Sequence, residues 1–220
     1  MLISQRDREI VAFLGRFQQA TADHIQRALF YGLASETPRD RALKRLMGDG
    51  LLTRIEHRLT GGAHGGSGQY VYMLDNIGLR LIGVDKRQRT GRPNYHALAV
   101  TEAYCALRPY VRRYLVEDDC WIKVKGEDIR PDMWLELDDM SIWLEVDLGT
   151  EGLRQLQGKL DTYARAYQYA DRSDIEEFPR VVWFVPNEQR ERELVGLIRK
   201  MDHEYQRLFV VTRVLPVEKW

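Results

Sequence analysis

Apolar residues recur at helical spacing through the first fifty positions and at alternate positions after that, so short helices are expected to give way to strands. Ser4 opens a first helix with Asp7 three residues on, the capping-box spacing, and Ile10, Phe13, Leu14 and Phe17 fall on one face. Thr21 caps a second amphipathic segment, TADHIQRALF, with Ile25 and Leu29 turned inward. The stretch SETPRD starts a third helix, with Thr37 as N-cap, Pro38 at the first helical position and Asp40 at the capping-box position. Leu43, Leu46 and Met47 share its inner face, and steps of about 100° per residue put Thr37, Arg41, Lys44 and Arg45 on the opposite one. After Gly48-Asp49-Gly50, LLTRIEHRL predicts a strand, LTGGAHGGSG a turning tip and QYVYML the returning strand of a hairpin.

Further along, DNIGLRLIG predicts a short helix, DKRQRTGRPN a polar linker, and HALAVTEAYCALRPYVRRYL a long helix interrupted by Pro109. WIKVK, DMWLEL and SIWLEV predict three strands in succession. A helix over EGLRQLQGKLDTYARAYQYA, a buried strand in VVWFVP, a helix capped by Asn187 and a last strand in LFVVTRV complete the chain. This α-β-β-β-α-β-α-β order predicts a mixed sheet flanked by helices. The expected fold is a two-domain α+β or α/β protein, with domains over residues 1–83 and 94–220 and a basic linker over 84–93.

Composition changes this picture in three ways. With 44% apolar and 30% charged residues, the 220-residue chain is of the ordered globular type. No apolar run approaches the roughly 18 residues of a membrane span, and MLISQRDREI is charged where a signal peptide is apolar, so a cytoplasmic protein is expected. Zero net charge hides a division: residues 1–92 hold 15 Lys+Arg against 9 Asp+Glu, and residues 93–220 hold 18 against 24. Cys105 and Cys120 have neither disulfide nor metal-ligand spacing and read as buried thiols.

Three short helices, a hairpin and a basic third helix follow the order of a winged helix-turn-helix, whose third helix enters the major groove of duplex DNA. Thr37, Arg41, Lys44 and Arg45 are the expected DNA-contacting residues on that helix, with Arg54 and Arg58 reaching phosphates from the wing. Lys86, Arg87, Arg89 and Arg92 could extend the contact as a basic arm or simply solvate the linker. The glycine-rich tip is not a phosphate loop, because a strand rather than a helix follows it, and His64 there reads as solvent-exposed. Half-site logic makes a homodimer the expected assembly.

In the second half, Asp132 precedes a strand, and Glu145 and Asp147 stand two apart, on one side of the next. With the element order, they resemble the restriction-endonuclease-like nuclease fold, whose motif is Pro-Asp, a dozen or so residues, then Asp/Glu-x-Lys. That resemblance implies a Mg²⁺ site of Asp132, Glu145 and Asp147, and a lysine that orients water and stabilises developing charge. Asp147 stands where the lysine belongs. Lys159 lies on the following helix, eight residues after Glu151, and is a candidate migrated lysine; a solvated surface lysine is the alternative.

The chain as a whole resembles the replication-relaxation family of plasmids and other mobile elements. The resemblance is carried by the N-terminal helices, by RPDMWLEL, by WLEVDLGTEGLRQLQGKLDTYARAY with Lys159 and Tyr163, and by VVWFVPNEQRERELVGLI. It implies a role in plasmid replication or DNA relaxation, alongside a replication or relaxation protein partner. Three readings follow. The favoured one is a DNA-binding protein whose nuclease-like domain, its lysine displaced, serves dimerisation or partner docking without a cofactor. The second is a Mg²⁺-dependent endonuclease or nickase using Asp132, Glu145 and Lys159. The third is a winged-helix transcriptional regulator whose Trp121, Trp134, Trp143 and Trp183 offer a ligand surface.

Overall fold

The computed structural model describes residues 3–59, 69–84, 92–170 and 178–215, with the side chains of 56–59 left aside. The chain divides into two units, residues 1–105 and 106–220, both mixing helices and strands. In the first, α1 (Gln5–Phe17), β1 (Gln19–Thr21), α2 (Ala22–Leu29) and α3 (Thr37–Gly48) precede a hairpin of β2 (Leu52–Leu59) and β3 (Gln69–Leu74). Helices α4 (Asn76–Leu81) and α5 (Tyr95–Leu107) follow. Strand β1 adds to β3, giving the sheet order β1-β3-β2, antiparallel throughout.

The caps show why these elements start where they do. Ser4 and Asp7 form a reciprocal capping box on α1, and the Thr21 hydroxyl accepts the His24 backbone N–H on α2. Ile10, Phe13, Leu14 and Phe17 are buried, as their spacing requires. On α2 the inner face is Ile25 and Ala28, with Phe30 behind; Leu29, expected inside, is half-exposed. The N-cap of α3 is Glu36, not Thr37, and no side chain caps it. Asp40 instead accepts from the Arg39 guanidinium at 2.7 Å, since the helix begins one residue early and turns Asp40 away from the cap. Gly78 lets α4 lie close to β2, because a Cβ there would stand 2.2 Å from the Leu51 carbonyl oxygen.

The expected domain limit near residue 93 left α5 with the second half, whereas most of α5 packs with the first unit. Leu98 joins Ile55, Val71 and Met73 in a buried cluster. The Thr101 hydroxyl donates to the Gln19 carbonyl at 2.9 Å, and the Tyr104 ring lies 4.8 Å from that of Phe17. Glu102 takes the Arg27 guanidinium at 2.8 Å and the His24 ring nitrogen at 3.0 Å. Leu98 with Thr101 and Glu102, and Thr101 with Tyr104, stand three or four apart on α5, a spacing that does not reveal which half the helix serves.

The second unit holds β4 (Arg113–Val116), β5 (Ile122–Val124), β6 (Glu127–Ile129), β7 (Met133–Glu136), β8 (Ser141–Val146), α6 (Leu153–Tyr169), β9 (Arg180–Phe184), α7 (Glu188–Ile198), α8 (His203–Gln206) and β10 (Phe209–Thr212). Five strands form a mixed sheet in the order β10-β9-β8-β7-β4, antiparallel from β4 to β8 and parallel from β8 to β10. The α-β-β-β-α-β-α-β order of the sheet's own strands holds, but its first strand was misidentified. RYLV, read as helix, is β4, because Pro109 ends the helical run and an alternating tetrapeptide follows. WIKVK, read as the first strand, is half of a separate ribbon with β6, turned at Gly126 with φ 98°.

Helices α6 and α7 bury one face of this sheet. Leu156, Leu160, Tyr163 and Ala166 of α6, with Leu194 and Ile198 of α7, pack on Trp143, Val181, Trp183 and Phe209. In register, Trp143 pairs with Val181 and Glu145 with Trp183, so Glu145 sits in the same row as two buried tryptophans. A carboxylate there must be satisfied by the helix above it.

Candidate functional site

Glu145 is 3% exposed, and α6 supplies both of its partners. The Tyr163 hydroxyl donates to Glu145 Oε1 at 2.6 Å, and Lys159 Nζ stands 3.4 Å from Oε2. Four residues apart, Lys159 and Tyr163 share a helix face. Lys159 also pairs with Glu151 Oε1 at 3.0 Å, and its ammonium lies 5.7 Å from the centre of the Trp183 ring. Lys159 is therefore tethered to two carboxylates rather than solvated alone.

Asp132 enters from the turn before β7. Its Oδ2 accepts the Val146 backbone N–H at 2.6 Å, and its own N–H donates to the Leu144 carbonyl at 3.1 Å. Its carboxylate is thus anchored at the end of β8. Glu117, at φ 52°, brings a carboxylate oxygen within 4.8 Å of one of Asp132. Burial first, and the Asp132 charge second, push the Glu145 carboxyl up to about 7, against the pull of Lys159 and Tyr163. Burial acts to lower the Lys159 ammonium, but the charges of Glu145, Glu151 and Asp132 outweigh it and hold the group above its ordinary value. Burial and the Glu145 charge raise the Tyr163 hydroxyl in turn.

Asp147 does not join this group. Its two oxygens are taken by Arg190 of α7, Oδ2 by Nε and Oδ1 by Nη2 at 3.2 Å, and Oδ1 also accepts the Gly149 N–H at 2.8 Å. The expected three-acid metal set is therefore corrected: past the end of β8 the chain turns Asp147 to Arg190, which takes both of its oxygens. Asp132 and Glu117 remain as hard oxygen donors, each with a carboxylate oxygen within 4.8 Å of the other, a chemistry that suits Mg²⁺, while both Glu145 oxygens are engaged by Tyr163 and Lys159. Sequence reasoning missed Glu117, Glu151 and Arg190 as site residues. For Arg190 the signal was the unpaired acid at the lysine position, which called for a cation elsewhere.

In the first unit, Thr37, Arg41 and Lys44 are exposed on α3. Arg45, half of whose side chain stays exposed, pairs with buried Asp7: its Nη2 lies 2.5 Å from Oδ1 and its Nε 3.3 Å from Oδ2. Burial acts to raise the Asp7 carboxyl, but bonds from Arg45 and Ser4 hold it below its ordinary value. The Arg54 guanidinium stacks 3.8 Å over the Tyr70 ring. The Arg58 side chain, His64, Lys86, Arg87 and Arg89 lie outside the described residues. Cys105 and Cys120 are buried, and burial pushes both thiols up to about 12. Among the tryptophans, Trp143 and Trp183 are core residues and Trp121 is exposed.

These features define a two-unit α/β protein that keeps a carboxylate, lysine and tyrosine together beneath one helix. Residues 11–181 match the family model for replication-relaxation proteins, and the chain belongs to that family. No curated protein and no solved structure matches it. Among the described residues, no helix is long and apolar enough to cross a membrane.

Proposed function

We propose that this protein acts on plasmid or mobile-element DNA during replication, docking on the duplex with its first unit and nicking one strand with its second. The observation that carries the reading is Lys159, brought by α6 to 3.4 Å from Glu145. The order of antiparallel and parallel strands around β8 supports a restriction-endonuclease-like unit, and Lys159 supplies the cation that Asp147 displaced from the motif. Three helices followed by a hairpin support a winged helix-turn-helix, with Thr37, Arg41 and Lys44 as the face toward DNA and Arg54 beside it.

Asp132, with Glu117 beside it, and Glu145, as the resemblance implies, are the residues that would hold Mg²⁺. When bound, the cation supplies Lewis-acid polarisation of the phosphodiester. The Lys159 ammonium offers a preorganised positive charge for the negative charge that develops on the phosphate. Tyr163 fixes the orientation of Glu145, and the buried face of α6 keeps water from its far side. Cutting one strand relaxes a supercoiled plasmid, which agrees with the family's description.

A second reading is a DNA-binding protein with a purely structural cluster, favoured by the engagement of both Glu145 oxygens within the fold. Supercoiled plasmid incubated with Mg²⁺ separates the two. Metal-dependent conversion to the open circle, lost in Asp132→Ala, is the expected result. Intact supercoils on plasmid that the protein nevertheless binds would leave the structural reading standing.

A further inference from the structure

Asp147 reverses the charge at the position where the resembling fold keeps its lysine, and it does so almost out of contact with water, 6% exposed. Such a carboxylate needs a cation, and Arg190, itself 6% exposed, provides one from the first turn of α7. The Asn187 side chain accepts the Arg190 backbone N–H at 2.9 Å and so anchors the arginine at the helix start. Nη2 does more than neutralise Asp147: it also donates to the Glu151 carbonyl at 2.7 Å. With the Gly149 N–H on Asp147 at 2.8 Å, the segment 147–151 is closed into a turn held at both ends by one guanidinium.

Glu151 is the next link. Its Oε1 holds Lys159 at 3.0 Å, whereas its Oε2 is buried with no hydrogen-bond partner. The carboxylate is thus poorly fixed by its own surroundings, and its direction is set by its backbone, which Arg190 grips. Lys159 in turn is shared between Glu151 and Glu145.

We infer that Arg190 is a positioning residue, clamping Asp147 and the Glu151 carbonyl so that Glu151 holds the Lys159 ammonium against Glu145. The inference rests on the reading of Lys159 and Glu145 as the reaction centre. Arg190 touches none of the reacting groups; it sets where the lysine stands.

The test reads Lys159 directly. A limiting amount of an amine-acylating reagent is applied to the whole protein, and acylation at each lysine is measured by peptide mass mapping, with exposed Lys44 and Lys200 as internal references. Because Arg190→Ala strands a buried aspartate and could unfold the unit, the decisive variant is the paired apolar replacement Asp147→Leu with Arg190→Met, which preserves packing. In that folded variant, Lys159 acylation relative to Lys200 is expected to rise on the order of tenfold, the scale of one lost charge-assisted hydrogen bond. Arg190→Lys should fall between, since an ammonium cannot hold Asp147 and the Glu151 carbonyl in one fixed fork. Nicking by the paired variant should lose kcat with KM unchanged. A folded paired variant with wild-type Lys159 reactivity overturns the clamp. Wild-type protein that never nicks DNA, but whose Lys159 reactivity responds to the paired replacement, supports the clamp and removes the nuclease reading instead.

Discussion

Replacing Glu145 by glutamine should abolish most of the pH dependence of the second unit's stability near neutrality. The carboxyl is pushed up from its ordinary 4.5 to about 7 in the folded protein, first by burial and then by Asp132. Between those two values the folded chain holds a proton that the unfolded chain has released, so stability falls as pH rises through this window. At about 1.4 kcal/mol per pH unit, the fall amounts to about 3 kcal/mol. Glutamine stays neutral, can still accept the Tyr163 hydroxyl, and titrates nowhere in the range. All five tryptophans lie at or beyond Trp121, so urea unfolding followed by tryptophan fluorescence reports the second unit. Wild-type midpoints measured from about pH 5 to about pH 8 should drop, and those of Glu145→Gln should stay nearly level. His203, the one histidine after residue 105, is common to both proteins and cancels. Carboxyls held low, such as Asp7 and Glu102, lose their stabilising effect only as pH falls below the ordinary carboxylate range, which is a different window with the opposite sign. Parallel pH profiles for the two proteins would refute the reasoning, for they would mean that Glu145 is already ionised at low pH.

Other outcomes follow from the same contacts. Arg41→Ala and Lys44→Ala should each weaken DNA binding and reduce the salt slope by about 0.9, measured by titration at several ionic strengths. Arg45→Ala should instead lower the stability of the first unit by about 1–2 kcal/mol, because it leaves the buried Asp7 carboxylate short of its partner; a circular-dichroism melt reads this. Leu160→Ala removes a fully buried side chain between Lys159 and Tyr163's turn of α6 and should cost about 2–5 kcal/mol in urea unfolding.

Local signals were the legible ones. The Ser4 and Thr21 caps, the Asn187 cap and the apolar rows of α1 and α6 are short-range and were readable from spacing alone. Assignments that depend on partners distant in sequence were not. RYLV becomes a strand because β7 pairs with it, and WIKVK leaves the sheet because β6 lies closer in sequence and folds back on it. Helix α5 was legible as a helix, but nothing in it said that Leu98 and Thr101 would meet the hairpin and β1. For the site, Asp132, Glu145 and Lys159 were named from motif and helix spacing. Asp147 was misjudged, because two acids on one strand face predict convergence only while the strand continues, and β8 ends at Val146. For Arg45, a helical wheel gave the outward position but could not show that Asp7 of another helix also pairs with it.

On the proposed reading, α6 returns a working lysine to a site where Asp147 stands at the lysine position of the resembling fold. The most direct test is Mg²⁺-dependent nicking of supercoiled plasmid by wild-type protein, Lys159→Met and Lys200→Met, the last removing an exposed lysine remote from the acids in sequence. Lys159→Met is expected to bind the plasmid as tightly as wild type while nicking falls at least about a hundredfold, the scale of losing one preorganised charge at a transition state, and Lys200→Met is expected to nick normally. Equal nicking by Lys159→Met and wild type would contradict that reading.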